Sequence, residues 1–190
     1  MVEILEQEFV QRILRNASIQ IQQMKIKTDI IIAEKLWKND LNISKKIKSL
    51  IKKIIPQTSL VELKTAIEIS ILLTNDTQIK ELNKNYRHKN KPTNVLSFPL
   101  LDSKKIKNGD LKKLNLSSDY LALGDIAISY QTVLKESDEQ NKTFENHLTH
   151  LIIHSLLHLI GFDHEQERMA KIMEDLEVKI LKTLQIKNPY

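Results

Sequence analysis

The hydrophobic positions along the chain follow two periods. Ile67, Ile69 and Ile71 alternate with polar residues, which is typical of a half-buried strand. Apolar residues three and four apart between Asn42 and Ile55 instead predict a helix, which Pro56 ends. By these criteria we predict strands over 29–33, 66–73, 94–100 and 121–129 and helices over 2–15, 42–55, 76–86, 144–160 and 165–184. Residues 102–119 are predicted to form a polar loop or a weakly ordered insertion.

These elements predict one α+β domain with a small sheet. The chain has 190 residues, enough for one domain with a hydrophobic core and not clearly enough for two. Hydrophobic residues make up 41% and charged residues 28%, as is ordinary for a soluble globular protein. No apolar run approaches the length of about 20 residues that spans a bilayer. The first residues do not form a signal peptide, so we expect a cytoplasmic protein.

The absence of cysteine limits the chemistry. No disulfide framework can form, and no thiolate can bind a metal or act as a nucleophile. The formal net charge is +5, and this permits a polyanionic partner because lysine and arginine displace counterions from phosphates. The charge does not require such a partner, since lysine is frequent throughout the chain.

Three histidines late in the chain form the strongest candidate site. His154 and His158 are four residues apart and therefore lie on one face of the predicted helix. Gly161 can adopt the left-handed conformation that ends a helix, which turns His164 back toward the other two. Three imidazoles around one point, with a fourth position open, describe a catalytic zinc site.

His150 lies on the same face of the predicted helix as His154 and His158, but it cannot replace His164 as the third ligand. The helix rises about 12 Å from His150 to His158. Zinc–nitrogen bonds measure only about 2 Å, so one ion cannot bind both ends of the stripe. We therefore expect His147 and His150 to be ordinary surface or packing residues. The identity of the metal stays open at this point, because three histidines also suit nickel, cobalt or copper.

The histidine spacing also matches the metzincin protease pattern HExxHxxGxxH. In that pattern a glutamate follows the first histidine and acts as the general base. Here Ser155 holds that position, and a serine cannot do this work at neutral pH without a base of its own. A protease is therefore only a weak alternative.

Together with two upstream segments, the histidine run closely resembles the YbeY family of bacterial rRNA maturation factors. The family combines an LNxxYR…PTxVLSFP segment, a GDI strand and an HGxLHLxGYDH metal motif. The corresponding segments here are LNKNYRHKNKPTNVLSFP over residues 82–99, GDI over 124–126 and HSLLHLIGFDH over 154–164. Three departures occur: Ser155 replaces the usual Gly, Phe162 the usual Tyr, and Asn94 an Asp found in many members. None of them removes a ligand.

The resemblance implies a single-strand-specific, metal-dependent endoribonuclease that acts in small-subunit rRNA maturation and in ribosome quality control. It implies an α+β fold in which a small, mostly parallel mixed β-sheet packs against helices, with a metal-binding helix near the C-terminus. It maps the ligands of one zinc ion onto His154, His158 and His164, and a catalytic arginine onto Arg87. The expected partners are single-stranded RNA, specifically rRNA, and the small ribosomal subunit with its associated proteins.

The resemblance also predicts the extent of the domain. It covers residues 28 to 185, so we predict that residues 28–190 form a single metal-dependent endoribonuclease domain. Residues 1–27 are predicted to be a helical N-terminal extension, to which the sequence assigns no role.

Two other functions stay open. A non-catalytic ribosome-assembly factor would hold structural zinc and would need a fourth protein ligand. A metallopeptidase-like hydrolase would need a carboxylate base near the zinc. Asp163 and Asp125 are candidates for orienting a histidine by a hydrogen bond. The sequence identifies no general base for RNA cleavage.

Overall fold

The structure is a computed structural model that describes residues 25–63, 65–101, 106, 109–111 and 120–190. Its strands are β1 (Ile26–Ile32), β2 (Ala66–Thr74), β3 (Val95–Pro99) and β4 (Tyr120–Ser129). Its helices are α1 (Ile43–Ile54), α2 (Asp76–Arg87), α3 (Tyr130–Glu139), α4 (Phe144–Leu159) and α5 (Glu167–Thr183). Short 3₁₀ turns occupy Lys35–Asn39, Ile55–Gln57 and Ser59–Glu62.

The four strands form one mixed sheet in the order β1-β2-β4-β3. β1, β2 and β4 are parallel, and β3 pairs antiparallel with β4 at one edge. The chain is therefore an α+β protein with a mostly parallel sheet, as predicted. Gly124 of β4 has φ +137°, and a Cβ atom there would lie 2.2 Å from the Phe98 carbonyl oxygen. This close approach of β3 explains why glycine stands at the start of the GDI segment.

The main hydrophobic core joins one face of the sheet to the helices. Ile67, Ile69 and Ile71 of β2 are almost fully buried there, which confirms the predicted alternation. Helix α4 is buried over most of its circumference, as its run of leucine and isoleucine leads one to expect. On the other face, Ile79 of α2 packs against Leu96 and Ala127. Helix α4 thus packs directly against the sheet.

Most predicted elements are confirmed to within a few residues, but α3 was missed. Its sequence, YQTVLKESDE, contains few apolar residues, so its helical periodicity is weak. No turn residue separates it from β4, so its start is not marked either. The predicted helix over residues 2–15 lies outside the described residues. The prediction of a polar loop over 102–119 was incomplete, because Ile106 and Leu111, two of the residues described there, are buried.

Candidate metal centre

Helix α4 presents two imidazoles side by side. Thr143 caps its first turn by accepting a hydrogen bond from the Asn146 backbone N–H at 3.1 Å. His154 and His158 lie one turn apart and are each partly buried. Their Nε2 atoms are 3.0 Å apart. The helical spacing therefore brings the two predicted ligands together, as expected from the sequence.

The end of α4 turns the chain back toward these histidines. Gly161 has φ +86°, the left-handed conformation expected for it. Its N–H donates to the His158 carbonyl and the Phe162 N–H donates to the Leu157 carbonyl, both at 3.1 Å. This pair of bonds is the Schellman motif, a common helix ending. The Phe162 side chain is then buried and anchors the turn.

His164 completes the cluster. The ring centroid of His164 is 5.5 Å from that of His154 and 5.0 Å from that of His158. One nitrogen from each of the three rings lies within 4.8 Å of the others, so the group can hold a metal ion. Within the described part of the chain, this is the only group of three or more histidine or acidic side chains with such an arrangement. His147 and His150 lie outside it.

Hydrogen bonds determine which ring nitrogen of His154 and of His158 faces the cluster. The His154 Nδ1 donates to the Glu177 Oε1 at 2.8 Å. The His158 Nδ1 donates to the Phe162 carbonyl oxygen at 3.0 Å. Because an acceptor lies opposite each Nδ1, the proton of a neutral ring resides there. When both rings are neutral, their Nε2 atoms therefore carry lone pairs directed toward each other.

The charge state of His158 suits a metal ligand. Burial, together with the nearby rings of His154 and His164, lowers its pKa to about 4. His158 is consequently neutral at pH 7. Two lone pairs 3.0 Å apart repel each other unless a cation lies between them. The donor set thus fits a metal ion, since bound imidazoles must be neutral.

Glu177 of α5 contacts the histidine cluster, and the sequence did not predict this contact. Its carboxylate is fully buried and accepts hydrogen bonds from His154, from the His150 Nε2 at 2.7 Å and from the Tyr190 hydroxyl. Burial raises the pKa of Glu177, but these hydrogen bonds outweigh burial and lower the pKa to about 2. Asp163, a sequence candidate for orienting a histidine ring, instead accepts a hydrogen bond from the His164 backbone N–H at 2.7 Å.

A signal for Glu177 was present in the sequence. It occupies a position of the apolar stripe of α5, between the buried Met173 and the buried Ile180 and Leu181. A charged residue at such a position must have buried partners. The sequence could not identify those partners, because His150 and His154 lie on α4 and Tyr190 lies beyond the end of α5.

Arg87 lies apart from these contacts. It is an exposed residue in the last turn of α2, and His88 then ends the helix with φ +58°. No hydrogen bond or ion pair joins the Arg87 guanidinium to the residues that the structure describes. Its role in catalysis therefore stays a prediction.

Comparison with known proteins shows that the chain is similar to a family model, to a curated protein and to a solved structure. The family model described as Endoribonuclease YbeY matches residues 31–185. The endoribonuclease YbeY of Ruthia magnifica subsp. Calyptogena magnifica is 50% identical over 123 residues, which are 65% of this chain and 77% of that protein. The solution structure of TM1509 from Thermotoga maritima is similar with a TM-score of 0.46 and 26% identity, over 83% of this chain and 91% of that chain.

Proposed function

The chain belongs to the YbeY family of endoribonucleases, and on that premise we propose that it cleaves single-stranded RNA at a metal ion held by His154, His158 and His164. We further propose that the ion is zinc, one per chain, and that the substrate is the RNA of the small ribosomal subunit during maturation and quality control. Such a substrate implies a cytoplasmic location. Residues 28–190 would form the catalytic domain, with residues 1–27 as an extension.

The observation that carries this proposal is that the Nε2 atoms of His154 and His158 are 3.0 Å apart, while the Nδ1 atom of each ring has a hydrogen-bond acceptor. A hydrogen bond between these atoms would require one of the rings to be protonated on both nitrogens. A divalent cation removes the repulsion and leaves both rings neutral. When bound, such an ion polarises a phosphoryl oxygen and lowers the pKa of a bound water.

Arg87 is proposed to bind the phosphate that is cleaved. A guanidinium is always charged and offers planar paired donors that match phosphate oxygens. Arg87 has no acidic partner in the described structure, so its charge is not neutralised by the protein. Lys84, Lys89 and Lys91 are also exposed nearby in the sequence and add to the positive charge. This arrangement favours a polyanion over an uncharged substrate.

The chemistry of the cleavage has two balanced forms. If the RNA 2′-hydroxyl attacks the phosphorus, its proton leaves, the P–O5′ bond breaks, and the products are a 2′,3′-cyclic phosphate and a 5′-hydroxyl. If water attacks, one P–O bond is hydrolysed, and the products are a phosphate monoester and a hydroxyl. The end groups of the products therefore distinguish the two forms.

The metallopeptidase alternative is disfavoured by the surroundings of the histidines. Ser155 is fully buried and its Oγ has no hydrogen-bond partner among the described residues, so it cannot activate water for a substrate. Glu177 is buried on the Nδ1 side of His154, away from the side on which the lone pairs meet. Neither residue supplies the exposed base that peptide hydrolysis needs.

The proposal is tested by cleavage of an end-labelled single-stranded rRNA fragment by the purified protein and three variants. His158→Ala is expected to abolish cleavage, and Arg87→Ala to reduce kcat/KM by about 10²-fold or more. Lys48→Ala removes one exposed positive charge from α1 and serves as the matched control, with cleavage close to that of the wild type. Metal content measured by mass spectrometry identifies the bound ion.

Each contrary result of this experiment would contradict a different part of the proposal. Equal cleavage by all four proteins would contradict the role of both the histidines and Arg87. Zinc binding without cleavage of free RNA, or of RNA within small subunits, would favour the assembly factor with structural zinc. Cleavage of a chain that carries 2′-deoxy sugars would exclude the 2′-hydroxyl as the nucleophile.

A further inference from the structure

A buried hydrogen-bond network lies behind the metal ligands and involves residues that the proposed chemistry does not use. The Glu177 Oε1 accepts from His154, and the Glu177 Oε2 accepts from His150 and from the Tyr190 hydroxyl. We infer that Glu177, held in place by Tyr190 and His150, is a positioning residue that fixes the ring of His154 for metal binding. The inference rests on the proposed metal site and goes beyond it.

The first argument for this positioning role is the direction of the hydrogen bond between His154 and Glu177. A carboxylate only accepts hydrogen bonds, so it selects the tautomer of His154 that has its proton on Nδ1. The Nε2 lone pair is then available on the side of His158, where the two Nε2 atoms are 3.0 Å apart. A carboxylate behind a ligand histidine also makes the imidazole a stronger donor.

The burial of Glu177 carries the second step. The side chain is fully buried, and each of its oxygens already accepts a bond, so the carboxylate cannot reach a substrate or act as a general base. A buried charge of this kind adds little net stability, since its desolvation offsets the attraction of its partners. Positioning of His154 is therefore the better explanation for its presence.

Tyr190 supplies the third step. The residue is 61% exposed and so contributes little to the core, but its hydroxyl donates to the Glu177 Oε2. The preceding residue is held as well, because the Lys142 Nζ donates to the Pro189 carbonyl at 3.0 Å. The segment that follows α5 thus completes the set of donors around the carboxylate.

His150 gains a role that the sequence did not suggest. It is the histidine that helical geometry excluded as a ligand, and its ring Nε2 donates to Glu177 at 2.7 Å. The stripe of three histidines on α4 is therefore divided in function. His154 and His158 face the ion, and His150 faces the carboxylate that orients His154.

Metal affinity is the measurement that tests the inference. Zinc affinity of metal-free protein is measured by competition with a chromophoric chelator for the wild type, Glu177→Gln and Tyr190→Phe. Tyr86→Phe is the matched control, because it removes an exposed tyrosine hydroxyl from α2. We expect affinity to fall about 10- to 100-fold in Glu177→Gln and by a smaller factor, roughly threefold to tenfold, in Tyr190→Phe. The control should bind zinc as the wild type does.

A second readout separates positioning from general stability. Long-range ¹H–¹⁵N spectra of the metal-free protein show which nitrogen of His154 carries the proton. We expect the proton on Nδ1 in the wild type and a mixture of tautomers in Glu177→Gln. Glu177→Asp, which keeps the carboxylate, should recover part of the affinity. If Glu177→Gln does not fold, Tyr190→Phe and the wild-type spectrum decide the question.

The outcomes distinguish this inference from the proposed function. Zinc binding that requires His158 but is unchanged in Glu177→Gln and Tyr190→Phe would overturn the positioning role alone. Absence of zinc binding by the wild type would overturn both. A wild-type spectrum with the His154 proton on Nε2 would also refute the inference, whatever the affinities.

Discussion

Gly161→Ala tests the link between the end of α4 and the metal site. Gly161 has φ +86°, and a Cβ atom added there would lie 2.7 Å from the Ile106 carbonyl oxygen and 2.8 Å from the Ile106 Cγ2. The substitution therefore introduces two separate costs, one in the backbone conformation and one in packing. Both occur three residues before His164, the proposed ligand that this turn brings to the cluster.

The magnitude follows from the two costs. The left-handed conformation costs a residue with a Cβ about 1–2 kcal/mol. Overpacking of a filled site costs about 1–3 kcal/mol, and here the obstacle is partly backbone, which moves least. The expected loss of unfolding free energy is thus roughly 2–5 kcal/mol, which for a chain of this size lowers Tm by roughly 4–20 °C.

Thermal unfolding of metal-free and zinc-loaded protein is the assay. The zinc-loaded variant should lose more than the metal-free one, because displacement of His164 also weakens metal binding. Gly161→Asn is the control: asparagine tolerates the left-handed conformation but keeps the Cβ contact, so its Tm should lie between those of wild type and Gly161→Ala. A shift of less than about 2 °C for Gly161→Ala would refute the reasoning, since it falls below the smallest expected cost.

Three further outcomes are expected. Removal of the metal by a chelator should lower Tm by roughly 8–16 °C relative to protein at a free zinc concentration of about 1,000 times Kd, and an unchanged Tm would contradict metal binding to the folded state. Glu136→Gln tests pH dependence: burial raises the pKa of Glu136, but hydrogen bonds from His147 and Asn94 hold it below the ordinary 4.5. The stability that Glu136 contributes is therefore full above pH 4.5 and is lost as the pH falls through the lower pKa of the folded state. The difference in Tm between wild type and variant should consequently shrink between pH 7 and pH 3. A difference that stays constant over this range would contradict the prediction. Trp37→Phe removes the buried Nε1–H that donates to the Thr74 carbonyl at 3.0 Å and should cost about 1–3 kcal/mol in a denaturant titration, with no loss arguing against that bond.

The ligand cluster could be predicted from the sequence because its geometry is almost entirely local. The spacing of His154 and His158 is set by the helical repeat, and the turn at Gly161 by two hydrogen bonds within six residues. Such short-range constraints act on any chain with this pattern, whatever surrounds it. Strand β2 was predicted for a related reason, since the alternation of apolar residues along it records which side of a sheet is buried.

The partners of those local features could not be predicted in the same way. Glu177 meets His154 from 23 residues away, and Ile106 lies opposite Gly161 although the sequence suggested only a polar loop there. Helix α3 forms despite a weak apolar pattern, because its few buried residues, such as Val133, pack into a core built by other segments. The sequence by itself determined which side chains can surround one ion and how the chain turns to bring them together. Only the tertiary structure decided which buried carboxylate contacts His154, because that contact depends on how α5 packs against α4 and not on any repeat along the chain.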